Sequence, residues 1–322
     1  MKRIRLPGLW ITLILVIGVG VIPAINGSAS LRESMFTILM SVALASSLNI
    51  ILGYTGYVSF GHIVFFGVGG YLGFYAISQL GWNILPAMLV GGLSAGILAF
   101  LLGATVLRLR GAYFALATIG INEAMRALVI NIPLLGGPVG MEMHFSEYKK
   151  YGGPMQALWM VYWGVLIVTV VTIIVSYYVK KSKFGLGLMA IREDEDAAEV
   201  MGVVAPRAKT WAYVLSAIFP GIIGVLFFFK NGNIEPGDAF RLQFSIELIV
   251  MVMLGGAGTV LGPVIGSGLY QQLRKALLTS PIFKNIQLAV AGFLLLLIIL
   301  FIPAGAVGWL RAKSVKLRRV LE

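Results

Sequence analysis

The sequence predicts an all-α, polytopic integral membrane protein of about ten spans, eight to ten in range, because apolar runs of membrane-crossing length follow one another along the chain. Composition points the same way: of 322 residues, 59% are hydrophobic and 12% charged, about half the charge density of an average soluble domain. The charges cluster at the ends of the apolar runs, so they do not form the even polar coat that a water-soluble globule needs. Glycine, at 40 residues, is abundant enough to expect close helix contacts and glycine-broken helices.

The first apolar run, 9–25, follows Lys2, Arg3 and Arg5. A basic start of this kind also fits a cleavable signal peptide, but the run exceeds the apolar core of a usual signal, which favours an uncleaved first span. Further spans are expected at 35–52, 63–80, 84–107, 112–132, 158–179, 211–229, 244–254, 264–278 and 286–302. The runs 244–254 and 264–278 are short and flank GGAGTVLGP. Half-helices of a broken pair fit them as well as tilted spans do.

The net charge of +12 is read as topological, with no nucleic-acid partner, because the basic residues bracket apolar runs. An even number of spans puts both termini on one side. The cytoplasm then receives Lys2, Arg3 and Arg5, Arg108 and Arg110, the basic residues of segment 180–209, and the tail with Arg311, Lys313, Lys316, Arg318 and Arg319. Segment 133–157 falls outside. Neither segment is separated from the membrane body by a domain boundary, so residues 1–322 form a single transmembrane domain in the lipid bilayer.

Several chemistries are excluded. Without cysteine there are no disulfides, thiolate zinc sites or cysteine nucleophiles. His62 and His144 are the only imidazoles, and neither sits in a metal or catalytic motif. The dipeptide Gly-Lys does not occur, so no phosphate-binding loop is present and any ATP must be hydrolysed by another chain. No catalytic residue, metal or cofactor is expected.

The stretch LGYTGYVSFG, 52–61, carries Gly53, Gly56 and Gly61, expected to release the backbone from helical dihedrals, with Thr55 and Ser59 to bond the exposed amides and carbonyls. It bears no charge, which favours a broken or re-entrant element over a cytoplasmic turn. A weaker echo, LGGAGTVLG at 254–262, supplies Gly255, Gly256 and Gly258 about 202 residues later. Paired glycine-interrupted segments are a pointer to a translocation pathway, although glycine-rich turns also resemble one another by chance. In the fifth span, Glu123 and Arg126 are three residues apart and share a helix face. The favoured reading is a structural ion pair facing the bundle; the alternative is a clamp for an amino acid zwitterion.

Arg192 to Gly202 reads REDEDAAEVMG. Taken alone, an acidic run is most simply a solvated loop. A short helix also fits, with Asp194, Glu195 and Asp196 near its start, small Ala197 and Ala198 within it and Gly202 as its stop. Asp196, Ala197 and Ala198, followed after three residues by Gly202, resemble the EAA signature of ABC importer permeases, with Asp in place of Glu. With LNIILGYTGYVSFGH, LRLRGAYFALATIGINEAMR, SKFGLGLMAIREDEDAAEVMGV and MLGGAGTVLGPVIG, the chain resembles the permease family for branched-chain amino acids over 48–303. It lacks the distal Ile-x-Leu-Pro element of the broader importer signature.

The resemblance implies an importer in the cell membrane, built from this permease, a homologous second permease, two cytoplasmic ABC ATPases and an extracytoplasmic solute-binding protein. Residues 194–198 with Gly202 would form the coupling helix that meets an ATPase. Relatives in the family move urea or short amides, which is the alternative substrate class. Two rivals belong to other classes. A self-contained secondary transporter would use Glu123, Arg126 and Glu247, and a membrane enzyme would need a reactive pair that the sequence lacks.

Overall fold

Among the described residues each long apolar run is a helix, and the breaks fall at glycine, at proline and at capping side chains. The computed structural model describes residues 7–279, 289, 292–293 and 305–308. Its helices are α1 (Pro7–Asn26), α2 (Ala29–Thr55), α3 (His62–Ser78), α4 (Ile84–Val106), α5 (Ala112–Ile130), α6 (Pro154–Lys181), α7 (Lys183–Glu193), α8 (Glu195–Val200), α9 (Ala205–Asn231), α10 (Pro236–Ala239), α11 (Leu242–Gly255) and α12 (Leu261–Thr279). The expected span at 286–302 and the basic residues of both termini lie outside the described residues.

Among the described residues, six helices are long and apolar enough to cross a membrane: α1, α2, α4, α5, α6 and α9. Of the nine expected spans that lie within the described residues, three fall short, for a geometric reason. The 14 residues of α11 rise about 21 Å, short of a hydrocarbon core of about 30 Å. The 17-residue α3 is also short, and α12 turns polar at Gln271, Gln272, Arg274 and Lys275.

α9 is the centre of the bundle, packed on α2, α3, α4 and α6. The packing depends on bare backbone: a β-carbon on Gly69 of α3 would stand 2.7 Å from the carbonyl oxygens of both Gly91 in α4 and Gly221 in α9. α1 is held to α6 by the Tyr162 hydroxyl, which donates to the Gly20 carbonyl at 2.5 Å. Farther along α6, Thr169 donates to Leu39 O of α2 at 3.1 Å and Ser176 Oγ lies 2.7 Å from the Tyr54 hydroxyl. α2 and α6 therefore run side by side over most of their length.

The segment between α5 and α6 folds across one end of the bundle. Its strand β1 (Met141–Glu142) pairs antiparallel with β2 (Asn233–Ile234) just after α9. Tyr148 donates to the Phe229 carbonyl at 2.8 Å, and Tyr151 accepts from the Ile84 amide at 2.9 Å. The first turns of α9, with α7 and α8, mark the opposite end.

Past β2 the chain dips back into the bundle. Asn122, midway along α5, donates to the Phe240 carbonyl at 2.9 Å, and Ser245 near the start of α11 accepts from the Ile63 amide at 3.2 Å. α11 thus begins inside the bundle and ends at Gly255 beside the last turn of α2. It is a half-helix, as its short apolar run allowed.

Candidate coupling and pathway site

The segment between α6 and α9 is two helices rather than a loop. Ser182 caps α7 by accepting from the Gly185 amide at 3.0 Å, and Asp194 caps α8 by accepting from the Ala197 amide at 2.9 Å. Gly202 follows with φ of 89°, the left-handed conformation that stops a helix at little cost to glycine. Ala198, 3% exposed, faces the chain's own core. Ala197 and Glu199 are exposed, and Val200 and Met201 stand clear at 87% and 84%. Ala198 is therefore turned inward within this chain, and its small side chain lets α8 sit close to the bundle.

Glu195 also turns inward. Its Oε1 accepts from Lys209 Nζ at 2.6 Å and its Oε2 from the Tyr57 hydroxyl at 2.6 Å. Lys209 closes the triangle by donating to the Tyr57 oxygen at 2.8 Å, and it reaches the Leu107 carbonyl at 2.9 Å. Its ammonium also lies 4.6 Å from the centre of the Tyr57 ring. Arg110 stands 3.6 Å from Glu195 and 2.9 Å from Asp196. Burial pushes the Glu195 carboxyl up, but the hydrogen bonds from Lys209 and Tyr57 and the charges of Lys209 and Arg110 outweigh it and hold the group below its ordinary value. The Arg110 hydrogen bond likewise lowers Asp196. The acidic run is thus only partly solvated.

Tyr57 belongs to the break between α2 and α3. Residues 56–61 are non-helical, with Tyr57, Ser59 and Gly61 buried. The break starts at Gly56, whose φ of 77° caps α2 while its amide donates to Leu52 O. Gly53 and Gly61 work differently from the sequence expectation. Gly53 is helical, and a β-carbon there would come 2.5 Å from the Gly258 nitrogen; one on Gly61 would come 2.8 Å from Thr118 O. Their contribution is close approach rather than unusual dihedrals. Thr55 acts as expected, donating to Ile51 O at 2.6 Å and accepting from the Tyr57 amide at 3.4 Å. Ser59 instead meets the Tyr213 hydroxyl at 3.4 Å.

The two glycine segments touch. Asn49 of α2 accepts from the Gly258 amide at 2.9 Å and donates to Thr259 O at 3.0 Å. Gly256 and Gly258 have φ of 116° and 79°, and Gly255 packs against the Gly262 backbone with no room for a β-carbon. Each segment ends one helix and starts another. Arg192, at the end of α7, donates to Gly53 O at 2.7 Å, and a β-carbon on Gly258 would lie 2.8 Å from its guanidinium. A cleft of about 410 Å³ opens here, lined by Thr55, Gly56, Tyr57, Gly111, Ala115 and Arg192 among others.

Glu123 and Arg126 pair at 3.5 Å, but their side chains are 55% and 45% exposed. They point off the protomer rather than into the bundle, which overturns the expected inward orientation; α5 has only Phe114, Thr118, Asn122 and Val129 buried. Sequence reasoning missed Asn49, Tyr57, Arg192 and Lys209 as parts of the site. The signal for Asn49 was a lone amide inside an apolar run. In the sequence, Lys209 reads only as a topological charge.

The family described as the branched-chain amino acid transport system permease component matches residues 28–301. The high-affinity branched-chain amino acid transport permease LivM of Escherichia coli K12 is 28% identical over 292 residues, covering 82% of this chain and 67% of that protein. LivH of the same strain is 24% identical over 289 residues, covering 82% and 90%. BraD of Pseudomonas aeruginosa is 25% identical over 295 residues, with the same coverage of 82% and 90%. No solved structure matches. The match takes in α2 through α12, including both glycine segments and the α7–α8 pair, so the chain belongs to the family of branched-chain amino acid transport permeases and is a multi-pass membrane protein.

Proposed function

We propose that this chain is a permease subunit of an ABC importer that carries branched-chain, hydrophobic amino acids across the cell membrane, with ATP hydrolysed by partner subunits. The observation that carries the mechanism is the double attachment of the α7–α8 pair: Arg192 to Gly53, and Glu195 to Tyr57 and Lys209. An ATPase engages the outward face of α8, where Ala197, Glu199, Val200 and Met201 are exposed. Movement of α8 then displaces segment 56–61 directly, and displaces the turn at 256–260 through Gly53 and Asn49.

In this reading α8 and both termini are cytoplasmic, and segment 133–157 faces the solute-binding protein. LivM and LivH of E. coli K12 are both permeases of high-affinity branched-chain amino acid transport, and both resemble this chain, which supports a homologous second permease here. The test is reconstitution of the chain with a second permease, the ATPases and a binding protein in proteoliposomes. Uptake of radiolabelled leucine should require internal ATP and should resist competition by urea. Uptake without the ATPases would make the chain a secondary transporter; uptake of urea in preference to leucine would reassign the substrate class.

A further inference from the structure

A groove runs along the outer surface between α4 and α9. One part, about 270 Å³, is wholly apolar and lined by Leu93, Gly96, Ile97, Val214 and Ile218 with the rings of Phe100 and Trp211. The next part, about 430 Å³, shares those two rings and ends at Arg108 and Arg207. The rings lie 6.0 Å apart and are each 47% exposed, so they form the junction between an apolar trough and a basic head. Gly96 and Gly103 make the trough by carrying no side chain toward α9, where their nearest neighbours are Ile218 and Thr210.

What covers this face follows from its chemistry. α4 has no charged residue, and its outward positions Leu85, Leu89, Leu93, Ile97, Phe100 and Leu101 are exposed hydrophobics. The neighbouring α5 instead exposes the charged pair Glu123 and Arg126. The α4 face therefore suits acyl chains. Trp211 sits where an interfacial aromatic belongs, between hydrocarbon and headgroup. Arg108 and Arg207 are exposed, and neither pairs with a carboxylate among the described residues, whereas nearby Arg110 is taken up by Asp196 and Glu195. Two free guanidiniums at the mouth of an interhelical groove are suited to a phosphodiester, which accepts their planar donors.

We infer that the α4–α9 groove binds an anionic glycerophospholipid, with an acyl chain along Leu93 to Ile218 and its phosphate against Arg108 and Arg207. Binding itself does not depend on the transport reading; only the leaflet, cytoplasmic, rests on it. The lipid adjoins the coupling cluster, because Leu107 lines the head of the groove and its carbonyl accepts from Lys209. Occupancy thereby supports the wall on which Lys209 and Glu195 are set.

The test is native mass spectrometry of the full chain in detergent, with phosphatidylglycerol or phosphatidylcholine of the same acyl chains added. The expected preference is about 30-fold for phosphatidylglycerol, from roughly one anionic-surface attraction per arginine. Arg108→Gln with Arg207→Gln should erase that preference, while Lys181→Gln with Lys183→Gln, exposed at the same end, should keep it. Equal retention of both lipids by the unaltered chain overturns the proposal without any variant. Loss of preference in the lysine control to the same extent also overturns it, by showing general charge attraction, as does displacement of the lipid by millimolar inorganic phosphate.

Discussion

Arg192 donates to the carbonyl of Gly53 at 2.7 Å, across 139 positions of sequence, and so ties the end of α7 to the last turn of α2. That carbonyl lies at the negative end of the α2 dipole, where a cation is favoured. The same guanidinium lies beside Gly258, where φ of 79° and the Gly53 carbonyl, 2.9 Å from where a β-carbon would stand, disfavour a side chain. One arginine from the α7–α8 pair thus holds the point where both glycine segments meet.

Arg192→Gln removes the charge from this contact. A hydrogen bond involving a charged group is worth about 1.5–3 kcal/mol, so the tie should loosen while the helices persist. Under the proposed mechanism, ATP hydrolysis by the reconstituted importer should continue and leucine transported per ATP should fall severalfold. An unchanged ratio would show that Arg192 is not in the coupling path.

Lys209 and Glu195 are the second attachment, and here burial sets the scale. Lys209 is 1% exposed, and removing it leaves Glu195 with the Tyr57 hydroxyl and the more distant Arg110, so the cost falls below the roughly 3–5 kcal/mol of a buried charge left with no partner. Lys209→Met should lower the melting temperature and yield of the purified chain, and adding Glu195→Gln should recover a large part of the loss. A double variant no better than the single one would mean that the pair has no mutual coupling.

The depressed Glu195 carboxyl fixes the pH response of this attachment. Its contribution is fully present above the ordinary value of 4.5 and is lost as pH falls through the lower folded value. The stability difference between the native chain and Glu195→Gln should therefore be flat from about pH 6 to 8 and shrink below about pH 4. A difference that disappears already near pH 6 would contradict the assignment.

Exposure separates two neighbouring positions on α8. Ala198→Arg forces a long cation into a position 3% exposed and should reduce the amount of folded protein. Val200→Asp, at a position 87% exposed, should leave folding within about 0.5 kcal/mol, as surface changes usually do, while weakening ATPase co-purification. Equal effects of the two on folding would show that α8 is not oriented as described.

Helix positions were largely legible because apolar run length is a direct physical requirement of a bilayer. α4 begins at Ile84, as expected, and α5 at Ala112, as expected. Orientation about a helix axis was much less legible. Spacing correctly brings Glu123 and Arg126 together, but α5 is apolar around most of its circumference, so no pattern told which side faces out. Glu195 was hidden for a related reason: a run of acids reads as solvated until a lysine on another helix, 14 residues on, is found opposite. The half-helix α11 was partly legible from its length, whereas its entry at Phe240 depends on Asn122, a contact 118 residues apart.

The last prediction concerns what faces Glu123 and Arg126. A charge exposed to lipid at mid-span costs about 2.5–3.5 kcal/mol on insertion scales, so their 55% and 45% exposure requires water or protein beyond the protomer. Gly120, one turn before Glu123, has nothing within 4 Å of where a β-carbon would stand, so this face is open rather than tightly packed within the chain. In the proposed assembly we expect it to border the water-filled route between this chain and a second permease. The chain has no cysteine, so Glu123→Cys introduces a single reporter. In the assembled importer it should react with a charged, membrane-impermeant maleimide, and excess leucine should slow the reaction. Glu123→Gln should fold and assemble normally yet lower leucine uptake, because the guanidinium of Arg126 loses its partner on the route. If the cysteine stays unlabelled and Glu123→Gln transports at the normal rate, the pair is a contact with a neighbouring chain and not part of the pathway.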